Sequence, residues 1–240
     1  QAGMASVLRG ALLTGLYLAG AVIAVFYLRT PADVTLFWPA SGIGFAATVR
    51  YGLRYVLIVP IATLLLHLAV VPVPAAFLPY SIGSNTIATL VAAWYVRRRA
   101  GGRIHLRTSD GLLLLRGGIL LSIVSSSIGT IGMLQSGMAP AGDAPRIALQ
   151  WAFGDLLGVT CMGPLLLYLF FADQASRRLQ RVAVSRLEMA LWAVSVVFTL
   201  TVVYMIGKLG SQLLSWAASE EIVGTMAAVS KKCTISNLKG

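Results

Sequence analysis

DGLLLLRGGILLSIVSSSIGTIGML, residues 110–134, is a run of 25 residues holding one acid and one base. Wound as an α-helix at about 1.5 Å per residue, it is long enough to cross the roughly 30 Å hydrocarbon core of a bilayer. A helix also satisfies its own backbone donors and acceptors, the condition for lying in lipid. Comparable apolar blocks recur on both sides of it. The fold class they predict is all-α, a polytopic transmembrane helical bundle with seven spans. These run over about 5–28, 36–50, 53–71, 78–96, 110–134, 147–171 and 187–207. The second is short for a full crossing, which predicts a tilted helix or one enclosed by its neighbours. Pro60 and Pro164 fall within spans, where neighbouring helices can satisfy the freed carbonyls.

Composition supports the same reading. Of 240 residues, 58% are hydrophobic and only 11% charged, and mean hydropathy is +0.83. Soluble domains carry about 25% charged residues, so a soluble enzyme is excluded. The net charge of +11 is not a nucleic-acid signature, because the bases sit in short runs between apolar blocks. Arg9, Arg50, Arg54, the group Arg97, Arg98, Arg99, Arg103 and Arg107, and the group Arg177, Arg178, Arg181 and Arg186 all fall on one side if the N-terminus is inside. Only Arg29, Arg146 and Lys208 then lie outside. That asymmetry predicts a multi-pass protein of the bacterial inner membrane with a cytoplasmic N-terminus. The Arg97–Arg107 run is expected to meet anionic lipid or dock a cytoplasmic partner. Cys161 and Cys233 form neither a disulfide framework nor a zinc spacing.

Residues 1–210 are read as the transmembrane domain and 211–240 as a tail. Residues 211–229 are apolar enough for a candidate eighth span. Glu220 and Glu221 would then lie mid-membrane at about 2–3 kcal/mol each, which favours a surface-lying tail. The chain opens on Gln1, so its start is expected to be processed or missing. Its first apolar block is too long for a signal-peptide core.

Polar groups inside membrane helices are costly and need an account. His67, Asn85, Asp155 and Ser41 lie on four different spans. Counting along each helix places all four in the outer third of the bilayer. Convergence at one depth predicts one cavity. The alternatives are a buried network that locks helices together and, behind it, a proton or ion path, and Asp155 could simply pair with Arg146. Trp38 in the stretch Trp38-Pro39-Ala40-Ser41-Gly42, and Trp151 one turn from Asp155, are explained as interfacial anchors. Equally, two indoles beside a carboxylate would suit a cationic or aromatic ligand. Trp38, Ser41, His67, Asn85, Trp151 and Asp155 are therefore the candidate ligand-binding residues. The pair Gly154 and Gly158 and the stripe Ser122, Ser126, Gly129 and Gly132 predict close helix approach. Arg116 is expected to snorkel or to pair with Asp110.

No catalytic constellation, phosphate loop or metal cluster is visible, so neither an enzyme nor a cofactor or metal is predicted. His105 lies at the opposite membrane face from His67, which excludes bis-histidine haem ligation. Lys208 lies at the end of its span, where it could not carry a mid-helix retinal.

Three segments in order resemble the membrane-associated sensor (MASE-type) family of bacterial integral-membrane input domains, which have about eight helices. They are FWPASGIGFAATVRYGLRYVLIVPIATLLLHL (37–68), SIGSNTIATLVAAWYVRR (81–98) and WAFGDLLGVTCMGPLLLYL (151–169). The resemblance implies a sensory input domain, commonly joined to a cytoplasmic diguanylate cyclase, cyclic-di-GMP phosphodiesterase or histidine kinase. It also implies that Ser41, Asn85 and Asp155 are the family-like polar positions. Two departures stand out: Ala88 where the family often has an acid, and a 30-residue tail in place of an eighth helix leading to an output module. The expectation is a fragment or a stand-alone member.

The expected function is a non-catalytic membrane sensory module whose outer-leaflet site takes a small ligand or a partner helix. Its expected partners are membrane lipids, an unidentified small ligand and a protein partner, with no nucleic acid. The alternatives are an accessory subunit of a larger membrane complex and a small-solute or proton transporter. The last is disfavoured by the lack of internal symmetry and paired broken helices.

Overall fold

A computed structural model describes residues 2–28, 35–101 and 108–175. Among these residues all regular secondary structure is helical. The order is α1 (Ala2–Tyr27), α2 (Pro39–Tyr51), a 3-10 turn (Leu53–Leu57), α3 (Ile58–Ala69), α4 (Leu78–Arg99), α5 (Thr108–Gln135) and α6 (Ala144–Ala175). Six of the seven expected spans thus correspond to helices. The seventh, the 211–240 tail, Arg103 and Arg107 lie outside the described residues.

The short second span is enclosed. Pro39 opens α2 with its φ already set for the first helical position. Gly52, at φ 109°, takes the chain out of it into the 3-10 turn. Between them every residue from Pro39 to Val49 is buried. Thirteen residues make only about 20 Å of helix, less than a bilayer core, and α1, α4 and α6 pack around it. A helix apolar on every side belongs inside a bundle.

The contact between α2 and α6 is made through backbone. A side chain on Gly158 would run into the Trp38 carbonyl oxygen, one on Gly42 into the Gly158 carbonyl, and one on Gly154 into the Thr35 carbonyl. The Trp38 amide donates to the Gly154 carbonyl at 2.9 Å, which ties the entry of α2 to α6. Small residues let membrane helices approach this closely. On α5, Gly129 receives the Trp151 ring and Gly132 the Tyr80 ring, so both glycine stripes serve packing.

Pro60 lies in the first turn of α3, just past the change from 3-10 to α-helical winding at Ile58, where its missing N–H is best tolerated. Pro164 sits inside α6. Among the described residues, three stretches are long and apolar enough to cross a membrane: Gly3–Tyr27, Gly111–Gln135 and Ala141–Phe170. The other three helices differ for separate reasons. The second is short, α3 is a shorter apolar helix even with its 3-10 turn, and α4 carries Ser81, Ser84, Asn85 and Thr89 on its buried side and three arginines in its last turn. Large apolar side chains such as Met4, Leu8, Leu12 and Phe26 on α1 are exposed, a surface suited to lipid.

The two ends of the bundle differ in chemistry. At one end Arg9 and Arg50 lie over the Tyr51 ring, 4.7 and 5.2 Å from its centroid. Arg54 lies over Tyr55, and Tyr51 packs against Tyr55 and Phe170. Arg50 donates to the Phe170 carbonyl and Arg97 to the Val49 carbonyl. The opposite end holds Trp38, His67, Phe77, Met133 and Trp151.

The glycine contacts set a test. Gly158→Ala is expected to destabilise the protein by about 1–3 kcal/mol through overpacking. Gly10→Ala, which meets nothing within 4 Å, should be neutral or stabilising by up to about 1 kcal/mol. Denaturant unfolding of both variants in mild detergent checks the contrast.

Candidate functional site

Asp155 is fully buried on α6. An ionised carboxylate in such a place requires hydrogen-bond donors, and two neighbouring helices supply them. Ser41 Oγ on α2 donates to one carboxylate oxygen and Ser125 Oγ on α5 to the other. The glycines described above bring Ser41 there: it precedes Gly42, while Asp155 follows Gly154. Asp155 does not pair with Arg146, which bonds its own neighbour Asp143 at 3.2 Å on the exposed surface. That pair sits toward the start of α6, whereas the Asp155 side chain points into the bundle.

A second polar group faces it across the bundle end. His67 on α3 has one ring nitrogen, Nδ1, 3.0 Å from the Val71 carbonyl and the other, Nε2, 2.7 Å from Ser81 Oγ. A carbonyl only accepts, so Nδ1 carries the proton and donates. Nε2 lies against the Ser81 hydroxyl, which can donate to it or accept from it. Asn85 lies one turn along α4 and its Nδ2 donates to the Ser81 carbonyl at 3.0 Å.

Between these groups lies a cavity of about 120 Å³, room for several waters or for one small organic molecule in their place. Its polar lining comes from Asp155, His67, Ser81, Asn85, Thr35 and Thr63. Its apolar walls include Trp38, Trp151, Phe77, Met133 and Met138. The Trp38 indole nitrogen is buried beside the Tyr17 phenol without a hydrogen bond of good geometry.

Five of the six candidate residues therefore line one cavity. The sixth, Ser41, holds the carboxylate from behind. The arginines do something else: Arg97 caps the end of α2 as described, and Arg98 and Arg99 stack on Trp94 and Tyr95 of their own helix, 5.5 and 5.8 Å from the ring centroids. The Asp110 side chain, and with it the expected pairing with Arg116, lies outside the described residues. Ser125 and Ser81 carry no candidate role in the sequence reading, although each holds a candidate residue in place. The spacing Ser122, Ser125, Gly129, Gly132 continues the small-residue stripe in steps of three and four, and that is the signal for Ser125. Met133, Met138 and Phe77 carry no comparable signal, since apolar residues occur on every side of these helices.

Among comparisons with known proteins, one family model matches, MASE1, a membrane-associated sensor domain, over residues 8–219. No curated protein and no solved structure matches the chain.

Ser41→Ala and Ser125→Ala each remove one donor from a buried carboxylate and are expected to cost about 1–3 kcal/mol apiece. Because both serve one group, the double variant should depart from additivity by at least about 0.5 kcal/mol. A double-mutant cycle by reversible unfolding in micelles measures it; strict additivity would mean that the two bonds are independent.

Proposed function

Because the chain belongs to the MASE1 family of membrane-associated sensor domains, we propose that it is a membrane input module whose sensing site is the cavity at the Trp38 end. Domains of this family receive signals and are not themselves catalytic. The observation that carries the proposal is the convergence on one cavity of a carboxylate from α6, a histidine from α3 and an asparagine from α4. Each residue of this group is held by a named partner. A purely structural network would require the hydrogen bonds but not the space between them.

In this reading the arginine-rich end faces the cytoplasm, as positive-inside asymmetry requires. Seven spans carry the chain across the bacterial inner membrane, with α2, α3 and α4 sheltered by the longer apolar helices. A small ligand in the cavity contacts Trp38 at the start of α2, and the shift passes along that helix. It emerges where Arg97 holds the Val49 carbonyl and Arg50 holds that of Phe170.

Two outcomes are expected. Reporter fusions truncated at residues 75 and 139 should report a periplasmic location and one at residue 101 a cytoplasmic one; the reverse pattern would turn the site toward the cytoplasm and sink the outer-leaflet assignment. With a cyclase output module fused ahead of the cytoplasmic N-terminus of the full chain, Asn85→Ala should change signal output at least severalfold while leaving membrane abundance intact. Unchanged output with merely lower stability would make the network structural.

A further inference from the structure

We propose that the cavity binds a small protonated organic amine, with the ammonium group on Asp155 and its short hydrocarbon part between the Trp38 and Trp151 indoles. This rests on the reading of the cavity as a sensing site and names the ligand class for it.

The first argument is charge. Among the described residues no arginine or lysine lines the cavity, while a carboxylate does. An anionic ligand would meet a like charge with no base to offset it, and repulsion at low dielectric is severe. A cation meets the opposite. Ser41 and Ser125 each occupy one carboxylate oxygen and the Trp151 indole N–H bonds the same group, yet an ionised carboxylate offers about four acceptor sites. Capacity remains for an ammonium N–H.

The second argument is the tally of donors and acceptors. His67 has its Nδ1 proton committed to the Val71 carbonyl, and Ser81 serves its other nitrogen. One N–H of the Asn85 amide goes to the Ser81 carbonyl, which leaves the other N–H as a donor and the amide oxygen as an acceptor. Acceptor capacity thus remains on Asp155 and on the Asn85 amide oxygen, and an ammonium group, with three N–H bonds and no lone pair, complements those two, while the buried Trp38 indole N–H remains as a donor.

The third argument is the walls. Indole faces attract cations, and the sulfurs of Met133 and Met138 are soft and polarisable. A bare metal ion suits the site poorly: among the described residues no three His, Cys, Asp or Glu side chains come together to hold one. The volume of about 120 Å³ sets the scale at a few heavy atoms, smaller than a nucleotide or a lipid chain. A protonated amine also relieves the cost of an ionised carboxylate inside the bundle, which has no arginine or lysine in the described cavity lining.

The test is a charge series on the full chain in nanodiscs of zwitterionic lipid. Tryptophan fluorescence is followed during titration with n-propylammonium, 1-propanol and propionate at pH 7, three probes of similar size and different charge. Saturable binding of n-propylammonium at least tenfold tighter than that of the other two is expected. Asp155→Asn should abolish that preference and leave 1-propanol unaffected. If that variant does not fold, Asn85→Ala, whose lost bond is internal to α4, should weaken n-propylammonium severalfold and selectively. Binding of 1-propanol or propionate as tight as that of the amine would overturn the amine assignment while leaving a ligand site in place. No saturable binding by any probe would overturn both the assignment and the sensing-site reading.

Discussion

The contact between the backbones of α2 and α6 governs the arrangement of everything else. Gly42, Gly154 and Gly158 remove the side chains that would hold the two helices apart, and the Trp38 amide closes the gap with a hydrogen bond to Gly154. In lipid there is little hydrophobic force between helices, so this kind of close packing must supply the association. The same approach decides the chemistry. Ser41 and Asp155 are each adjacent in sequence to one of these glycines, so the packing contact and the carboxylate's hydrogen bond form together. The acid is buried because the glycines are there, and it is tolerated because the helices are close enough to bring it a hydroxyl from each side.

Helices and depth are legible in the sequence because they depend on counting. Apolar length marks a helix, and residue number along it marks depth, so the order of residues alone puts Ser41, His67, Asn85 and Asp155 at one level. Rotation about the helix axis is a different quantity. Neighbouring residues differ by about 100° around an α-helix, and the run Ser125, Ser126, Ser127 gives no internal cue to which hydroxyl turns inward. Only Ser125 reaches Asp155; Ser127 is exposed and bonds its own helix at Ile123. The alternative pairing of Asp155 with Arg146 fails for the same reason, since proximity along the helix says nothing about which way the acid points. The apolar walls of the cavity are the least visible part. In a soluble protein an apolar stripe marks the buried face, but here lipid and core both accept such residues, and the contrast is lost.

The enclosure of α2 gives the bundle an axis. One end of this helix is Trp38, part of the cavity wall, and the other carries Arg50 and Tyr51 in an arginine–aromatic cluster that also includes Arg9 and Phe170. A helix packed on every side cannot bend locally into free space, because protein interiors are as dense as organic crystals. Displacement at one end is then expressed as movement of the whole rod against its neighbours. The contacts at the far end are polarised hydrogen bonds from guanidinium groups to carbonyls, on Val49 and Phe170. Such bonds have strict geometry, and a small shift of the rod breaks some and permits others. In the proposed sensor, a ligand of a few atoms therefore needs no large conformational change of its own. It needs only a different affinity for two positions of α2, and the cavity places Trp38 where that difference would be felt.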